Sequence, residues 1–159
     1  MKIALIIVLL LIATVVIYFS ILAANSKSGI AAGLADGKLS KCSHKPNCVC
    51  SEDNIATLHY IDPITISQNN SLDAFIIVKN VIQYMGGSIQ SERSHYLAAT
   101  FSSAIFGFVD DLELRLDVVK NIIHIRSASR VGHSDAGVNK KRVERLKHLF
   151  NKEVPAVRK

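Results

Sequence analysis

The sequence predicts an α+β domain: a mainly antiparallel sheet of about five strands packed by two helices, behind an N-terminal transmembrane helix. Three observations carry this expectation. Residues 3–24 form an uninterrupted apolar run. From Asp111 to Val118, Leu112, Leu114, Leu116 and Val118 alternate with Asp111, Glu113, Arg115 and Asp117, the period of two of a half-buried strand. Two stretches with apolar residues at helical spacing flank a block of consecutive strand-like segments, the order of an α+β unit and not of alternating βαβ units.

The run IALIIVLLLIATVVIYFSILAA follows Met1-Lys2 and holds no charge. As a helix it spans about 33 Å, enough to cross a hydrocarbon core. A cleaved signal peptide has a shorter apolar core, about 7–15 residues, and a small-x-small cleavage site. Here Leu22 stands where a small residue would be needed for cleavage after Ala24. Residues 1–24 therefore read as a transmembrane anchor or an uncleaved signal, with the membrane as partner through residues 3–24. No cysteine ends the run, which argues against lipoprotein processing. Lys2 precedes it, and Lys27, Lys38 and Lys41, partly offset by Asp36, follow it. That weak positive-inside bias disfavours export of the domain, whereas the cysteines favour it. The expectation is a single-pass inner-membrane protein with a periplasmic domain.

Residues 25–41 (NSKSGIAAGLADGKLSK) are rich in Ser, Gly, Ala and Lys and read as a flexible tether. The globular domain is expected over residues 42–150, with a basic tail over 151–159 and no internal repeat. Residues 61–67 (IDPITIS) suit a short strand with Pro63 at its start or on an edge. Ser71 reads as an N-cap, followed at helical spacing by Leu72, Phe75, Ile76, Lys79, Ile82 and Met85. Gly86-Gly87 is the stop, because glycine accepts the left-handed conformation that ends a helix. Residues 88–91 and 96–101 read as strands around the turn Glu92-Arg93-Ser94-His95. After the alternating strand, Lys120-Asn121 suits a two-residue turn. That register sets Leu116 opposite Ile125, Leu114 opposite Ser127, Asp111 opposite Arg130 and Arg115 opposite Arg126. Val143, Leu146 and Phe150 mark a last amphipathic helix, starting near Ser134 or Asp135.

The formal charge of +6 is uneven: residues 137–159 hold eight Lys/Arg and two Glu, whereas residues 25–136 hold ten Lys/Arg and eleven Asp/Glu. The basic C-terminal helix is compatible with an anionic lipid or an acidic protein partner, or with a plainly solvated face. Nucleic acid is not expected, since no aromatic cluster accompanies the basic run.

Several segments together carry a resemblance. They are Cys42, Pro46-Asn47-Cys48-Val49, Phe108-Val109-Asp110-Asp111-Leu112-Glu113, Arg126-Ser127-Ala128-Ser129-Arg130-Val131-Gly132-His133-Ser134-Asp135, and Gly137-Val138-Asn139-Lys140-Lys141-Arg142. Over residues 42–150 the chain resembles the domain of unknown function 1499 family. The resemblance implies a small domain, often in membrane or envelope proteins, without an established biochemical activity and with no catalytic assignments to carry over. The family's Pro-Asn-Cys-Val is usually followed by two serines, and Cys50 here takes the first of those places.

Cys42, His44, Cys48 and Cys50 admit three readings. A zinc site would need four ligands within nine residues, a tight loop for tetrahedral geometry. A Cys42–Cys48 disulfide would close a small loop and imply an oxidising compartment. Reduced structural thiols are the third. No C-x-x-C pattern is present, and no metal or cofactor is expected.

The stretch IRSASRVGHSDAGVNKKR (residues 125–142) gathers five Lys/Arg and three serines. One reading is a cross-strand charge ladder, with Arg126 and Arg130 forked onto Glu113 and Asp111. The other is a site for an anionic small ligand. Ser127, Ser129 and Ser134 would offer hydroxyls, and Arg126, Arg130 and Arg142 charge. Asp110, Asp111, Glu113, Asp135 and Asn139 complete the candidate ligand-binding set. The helix start after Asp135 would add free N–H groups, although Asp135 itself suits the cap.

The expected function is a membrane-anchored envelope module that binds a partner or an anionic ligand without catalysis. A small hydrolase or transferase is the alternative, with the carboxylates sharing acid/base work and His133 as a base. No P-loop, H-E-x-x-H or G-x-S-x-G pattern supports it. The apolar loop Ile105-Phe106-Gly107-Phe108-Val109 either fills core under a bend or touches lipid or a partner.

Overall fold

A computed structural model describes residues 1–55, 57–66 and 71–153. The apolar run folds as one helix, α1 (Lys2–Lys27). It is long and apolar enough to cross a membrane, a property it shares with signal sequences. Its last turn, with Ala23 and Ser26 buried, packs on the domain. Two short strands follow, β1 (Leu34–Ala35) and β2 (Lys38–Leu39), paired as a hairpin through Asp36-Gly37. Both turn residues have positive φ, 51° and 75°, as this kind of turn requires.

The domain then runs β3 (Cys48–Cys50), β4 (Ile64–Thr65), α2 (Ser71–Tyr84), β5 (Ser88–Arg93), β6 (Tyr96–Ser102), β7 (Val109–Asp117), β8 (Ile122–Ser129) and α3 (Val138–Glu153). The sheet has six strands, ordered β3-β8-β7-β6-β5, with β4 also pairing β8. These strands pair antiparallel throughout, and a single parallel bridge joins Cys50 to Tyr60. β5 to β8 form a meander, each strand beside its successor, so the fold is α+β as the sequence predicts.

One face of the sheet carries the apolar core. Leu112, Leu114, Leu116, Ile123 and Ile125 meet Phe75, Val78 and Ile82 of α2 and Val143, Leu146 and Phe150 of α3. The α2 stripe differs from its expectation: Ala74, Phe75, Val78, Val81 and Ile82 are buried, while Leu72 and Ile76 face out. Continuous apolar sequence offers two overlapping stripes, and sheet contact selects one. Gly86 has φ 89° and ends the helix. A Cβ on Gly87 would fall 2.6 Å from Ile82 Cγ2 and 2.7 Å from Phe101 Cζ, so no larger side chain fits there.

Three further expectations change. The β7–β8 register is shifted by two: Leu116 pairs Ile123, Arg115 pairs His124, Glu113 pairs Arg126 and Asp111 pairs Ala128. The connecting turn is residues 118–121, not Lys120-Asn121 alone, with Asn121 at φ 51° and the Lys120 N–H donating to Asp117 Oδ1 at 3.0 Å. A shift of two leaves every side chain on its face, so hydrophobic alternation cannot distinguish the two registers. It does relieve the Arg115–Arg126 juxtaposition. Next, α3 begins at Val138, preceded by Asp135, which accepts the Gly137 and Asn139 N–H groups at 3.0 and 2.7 Å.

Finally, residues 25–41 are not a free tether. They hold the end of α1 and the β1–β2 hairpin, and Leu39 is buried against Cys50, Tyr96 and Ala98 on the second face of the sheet. The anticipated Ser71 cap, the Ser67 end of the β4 segment and residues 154–159 of the tail lie outside what is described.

Candidate functional site

The second face of the sheet places Asp111, Glu113 and Arg115 of β7 beside His124 and Arg126 of β8, with Tyr96 and Ala98 of β6 and Cys50 of β3 around them. An alternating strand ordinarily turns such a row to water. Here the segment from Gly29 to Cys42 crosses it as a strap. A buried charge needs a partner and further hydrogen bonds; Glu113 and Glu52 have both, and Asp111 has a two-bond arginine partner.

Glu113 is fully buried. It accepts from Arg126 Nη1 at 2.6 Å, Tyr96 OH at 2.8 Å and the strap's Gly33 N–H at 2.7 Å. Burial, then this hydrogen bond to a carboxylate, pushes the Tyr96 phenol well above its ordinary range. Asp111 is gripped by Arg130 through two bonds of 2.9 and 2.7 Å, and Arg130 Nη1 also donates to Ser26 O of α1 at 3.1 Å. The bonds to Asp111 raise the Arg130 pKa against the effect of burial.

Glu52 accepts two bonds from Arg115, at 3.0 and 2.7 Å, and one from the strap's Leu39 N–H at 2.7 Å. Burial works to raise the Glu52 pKa, but Arg115 and the Leu39 N–H hold it below the ordinary value. His124 lies 3.8 Å from Glu52 and 3.2 Å from Ser51 Oγ. Burial, aided by the Arg115 charge, lowers its pKa.

The other candidate residues lie across the sheet, where β8 meets α3. Arg142 donates to Asp110 Oδ2 at 2.6 Å and to Ser127 Oγ at 3.0 Å, and stacks over the Phe101 ring at 4.8 Å. Ser127 Oγ donates to Asn139 Oδ1 at 2.6 Å. The Asn139 amide donates to Asn47 O, Ser129 Oγ and Asp135 Oδ2 at 3.0, 3.0 and 2.8 Å. Ser134 and His133 are exposed.

So the structure divides the candidate set by the thickness of the sheet. Asp111, Glu113, Arg126 and Arg130 lie under the strap. Asp110, Ser127, Ser129, Asp135, Asn139 and Arg142 join β8 to α3. The second group forms one connected network, whereas the first consists of two separate ion pairs and leaves the buried Arg126 Nε without a hydrogen-bond partner among the described residues.

The cysteines sit at the strap's end. Cys42 and Cys48 form a disulfide, while Cys50 is free and buried, and burial pushes its thiol up to about 11. Among the described residues, no three His, Cys, Asp or Glu side chains are grouped to hold a metal ion.

A small cavity of about 190 Å³ touches Asp135 and Asn139, but a wider opening lies elsewhere. A groove of about 680 Å³ runs between the strap (Gly29 to Leu34) and β5–β6, floored by Tyr96, Ala98 and Thr100 and closed toward α1 by Val109 and Arg130. Lys27 and Arg93 flank it, and no carboxylate lines it. Among the described residues neither Lys27 nor Arg93 has an ion-pair partner. The groove is therefore cationic, mixed polar and apolar, and placed where α1 meets the domain. Of the candidate set only Arg130 reaches it. Lys27, three residues after the apolar run, and Arg130 are the sequence signals for this location, whereas Arg93 stands out in the sequence only as part of a turn.

Residues 38–150 match the family described as protein of unknown function (DUF1499). No match is found among curated proteins.

Proposed function

The chain belongs to the DUF1499 family, whose description assigns no activity, and from that premise we propose that it is a membrane-anchored binding module holding an anionic ligand in the groove beside its anchor. The observation that carries this is the pair Lys27 and Arg93, cations with no carboxylate partner among the described residues, on the rims of a groove that none of the described carboxylates lines. An anion entering there meets positive charge without displacing an internal salt bridge. The ligand class is a phosphate- or carboxylate-bearing small molecule, either soluble or presented as a lipid headgroup.

Binding without catalysis is the better-supported reading. Of the four carboxylates considered for acid/base work, Asp110, Asp111 and Glu113 are each committed to an arginine at 2.6 to 2.7 Å, and Asp135 caps α3 through the Gly137 and Asn139 N–H groups. The disulfide supports placing the domain in an oxidising compartment outside the cytoplasm, and the length of α1 supports a retained span. The mass of the native chain tests retention: a mature start near Asn25 overturns the anchor.

The groove is tested with the full chain in phosphatidylcholine nanodiscs. One arm titrates inorganic phosphate. The other replaces part of the lipid with phosphatidylglycerol. Ligand binding raises the melting temperature by mass action, and the Lys27→Gln, Arg93→Gln double variant should lose that gain. A gain from phosphate identifies a soluble anion, and a gain only with phosphatidylglycerol a headgroup. No gain in either arm, or an equal gain in the double variant, overturns the proposal.

A further inference from the structure

The loop between β6 and β7 carries no charge from Phe101 to Val109 and ends in an exposed tip: Ile105 is 87% exposed. A solvent-facing loop of this composition has no reason to be apolar, and this one does not face away from the anchor. Phe106 stacks on Phe19 of α1 with ring centroids 5.4 Å apart, and Phe108 meets Phe19 edge-on at 6.3 Å. Phe19 lies five residues inside the end of the apolar run, about 7.5 Å along the helix axis. The loop is thus drawn alongside the anchor's apolar surface, not beyond it.

Two further features fit that position. The end of the anchor is bonded to the domain. Ser26 Oγ accepts the Val109 N–H at 3.0 Å, and Ser26 O accepts Arg130. These bonds hold the domain close to the surface that α1 enters. The loop also pairs the backbone at its base: Ser103 N–H donates to Phe108 O at 2.9 Å, Gly107 N–H to Ser103 O at 3.1 Å, and Phe108 N–H to Ser103 Oγ at 3.0 Å. The N–H groups of its tip are left to the interface, where headgroups and water still offer the partners that the hydrocarbon core does not. The Cε and Nζ end of Lys27 lies near Gly107, which sets its charge beside the base of the loop, at the level where a cation meets lipid headgroups.

We infer that the loop around Ile105, Phe106 and Phe108 is seated in the lipid interface beside α1, so that the domain lies on the bilayer in one fixed orientation with its groove at headgroup level. The inference rests on the anchored reading of α1 but not on the groove's ligand.

The chain has no tryptophan, so single reporters can be read without background. The full chain is placed in phosphatidylcholine vesicles containing brominated lipid, as Ile105→Trp, Leu11→Trp and Val119→Trp. Leu11 is mid-span. Val119 is 92% exposed and lies past the far end of β7, about 27 Å along that strand from Val109. All three positions are exposed in the protein, so the fold should tolerate the changes.

The expected result is loss of emission by bromine quenching for Leu11→Trp and Ile105→Trp, and none for Val119→Trp. Quenching at Leu11→Trp alone overturns the inference and leaves the anchor standing. No quenching at Leu11→Trp removes the anchor and the inference together. Blue-shifted but unquenched emission at Ile105→Trp means that protein covers the loop, and likewise overturns it.

Discussion

Glu113 and Leu114 are neighbours on β7, both fully buried, and they point to opposite faces of one sheet. Leu114 enters an apolar layer shared with Ile125, Leu97 and the two packed helices. Glu113 enters a layer of ions under the N-terminal strap, held by Arg126, Tyr96 and Gly33. On the first face any well-shaped apolar neighbour serves, because burial is non-directional. On the second, each group depends on particular partners at particular distances, and removing one strands the rest. The helical face is robust in kind and the strapped face is specific in kind.

The comparison is tested most severely at Glu113. Glu113→Ala leaves the Arg126 charge, the Tyr96 hydroxyl and the Gly33 N–H without their acceptor. Breaking a buried pair in this way costs about 3–5 kcal/mol, read as a lowered denaturation midpoint. The double change Glu113→Leu with Arg126→Met should recover the part of that loss owed to the stranded Arg126 charge, since replacing both partners by apolar groups of similar size is often neutral, while Tyr96 and Gly33 stay without their acceptor. Failure of the double variant to recover would mean that the ionic layer stabilises the fold beyond what packing could do. Leu114→Ala should cost about 2–5 kcal/mol through lost transfer energy and the cavity left behind, and no second neutralising change exists for it. If Leu114→Ala is nearly silent, the helical face is looser than its burial implies.

A smaller effect is expected from pH, and only on the strapped face. His124 is held below its ordinary 6.5 by burial and by Arg115, and Glu52 below its ordinary 4.5 by Arg115 and Leu39. In both cases the unfolded chain binds the proton more readily than the folded one, so stability rises with pH and is lost on acidification. The His124 contribution is complete above about pH 6.5 and fades below it. The Glu52 contribution is complete above about 4.5 and is lost as pH falls through its lowered folded value. Urea melts across this range should show the two-stage decline. His124→Gln should flatten the upper stage alone, and an unchanged upper stage in that variant would place its origin elsewhere.

The two faces also differ in how far they were legible in sequence. Alternation along β7 and the spacing of Val143, Leu146 and Phe150 pointed directly to the helical core, because apolar burial has a period. The strapped face left only composition: arginines and carboxylates in excess of what turns and caps require. Asp111 with Arg130 and Glu113 with Arg126 were within reach of the alternation, yet a register two residues off still preserved both faces and misplaced Arg115. Charge complementarity along the pair would have chosen the observed register. The Arg115–Glu52 pair was out of reach, since 63 residues separate the partners. So was the strap itself: Gly33 and Leu39 act through backbone N–H groups, which leave no trace in residue type. A stretch rich in Gly, Ser and Ala then looks like a tether whether or not it binds.

The least effect is expected at an ion pair with the same geometry as the most sensitive one. Lys79 and Glu92 approach to 2.6 Å, as do Arg126 and Glu113. Their side chains are 30% and 48% exposed, against 11% and 0% under the strap. Water solvates each member when the other is absent, and holding two long side chains in one arrangement costs entropy, so exposed pairs contribute about 0–1 kcal/mol. Lys79→Gln should therefore lower stability by no more than about 1 kcal/mol, and by less in high salt, where surface charges are screened. Glu113→Ala should keep its full effect there. If the two variants respond alike to salt, the strap does not exclude solvent from the ionic layer, and distance alone would govern both pairs.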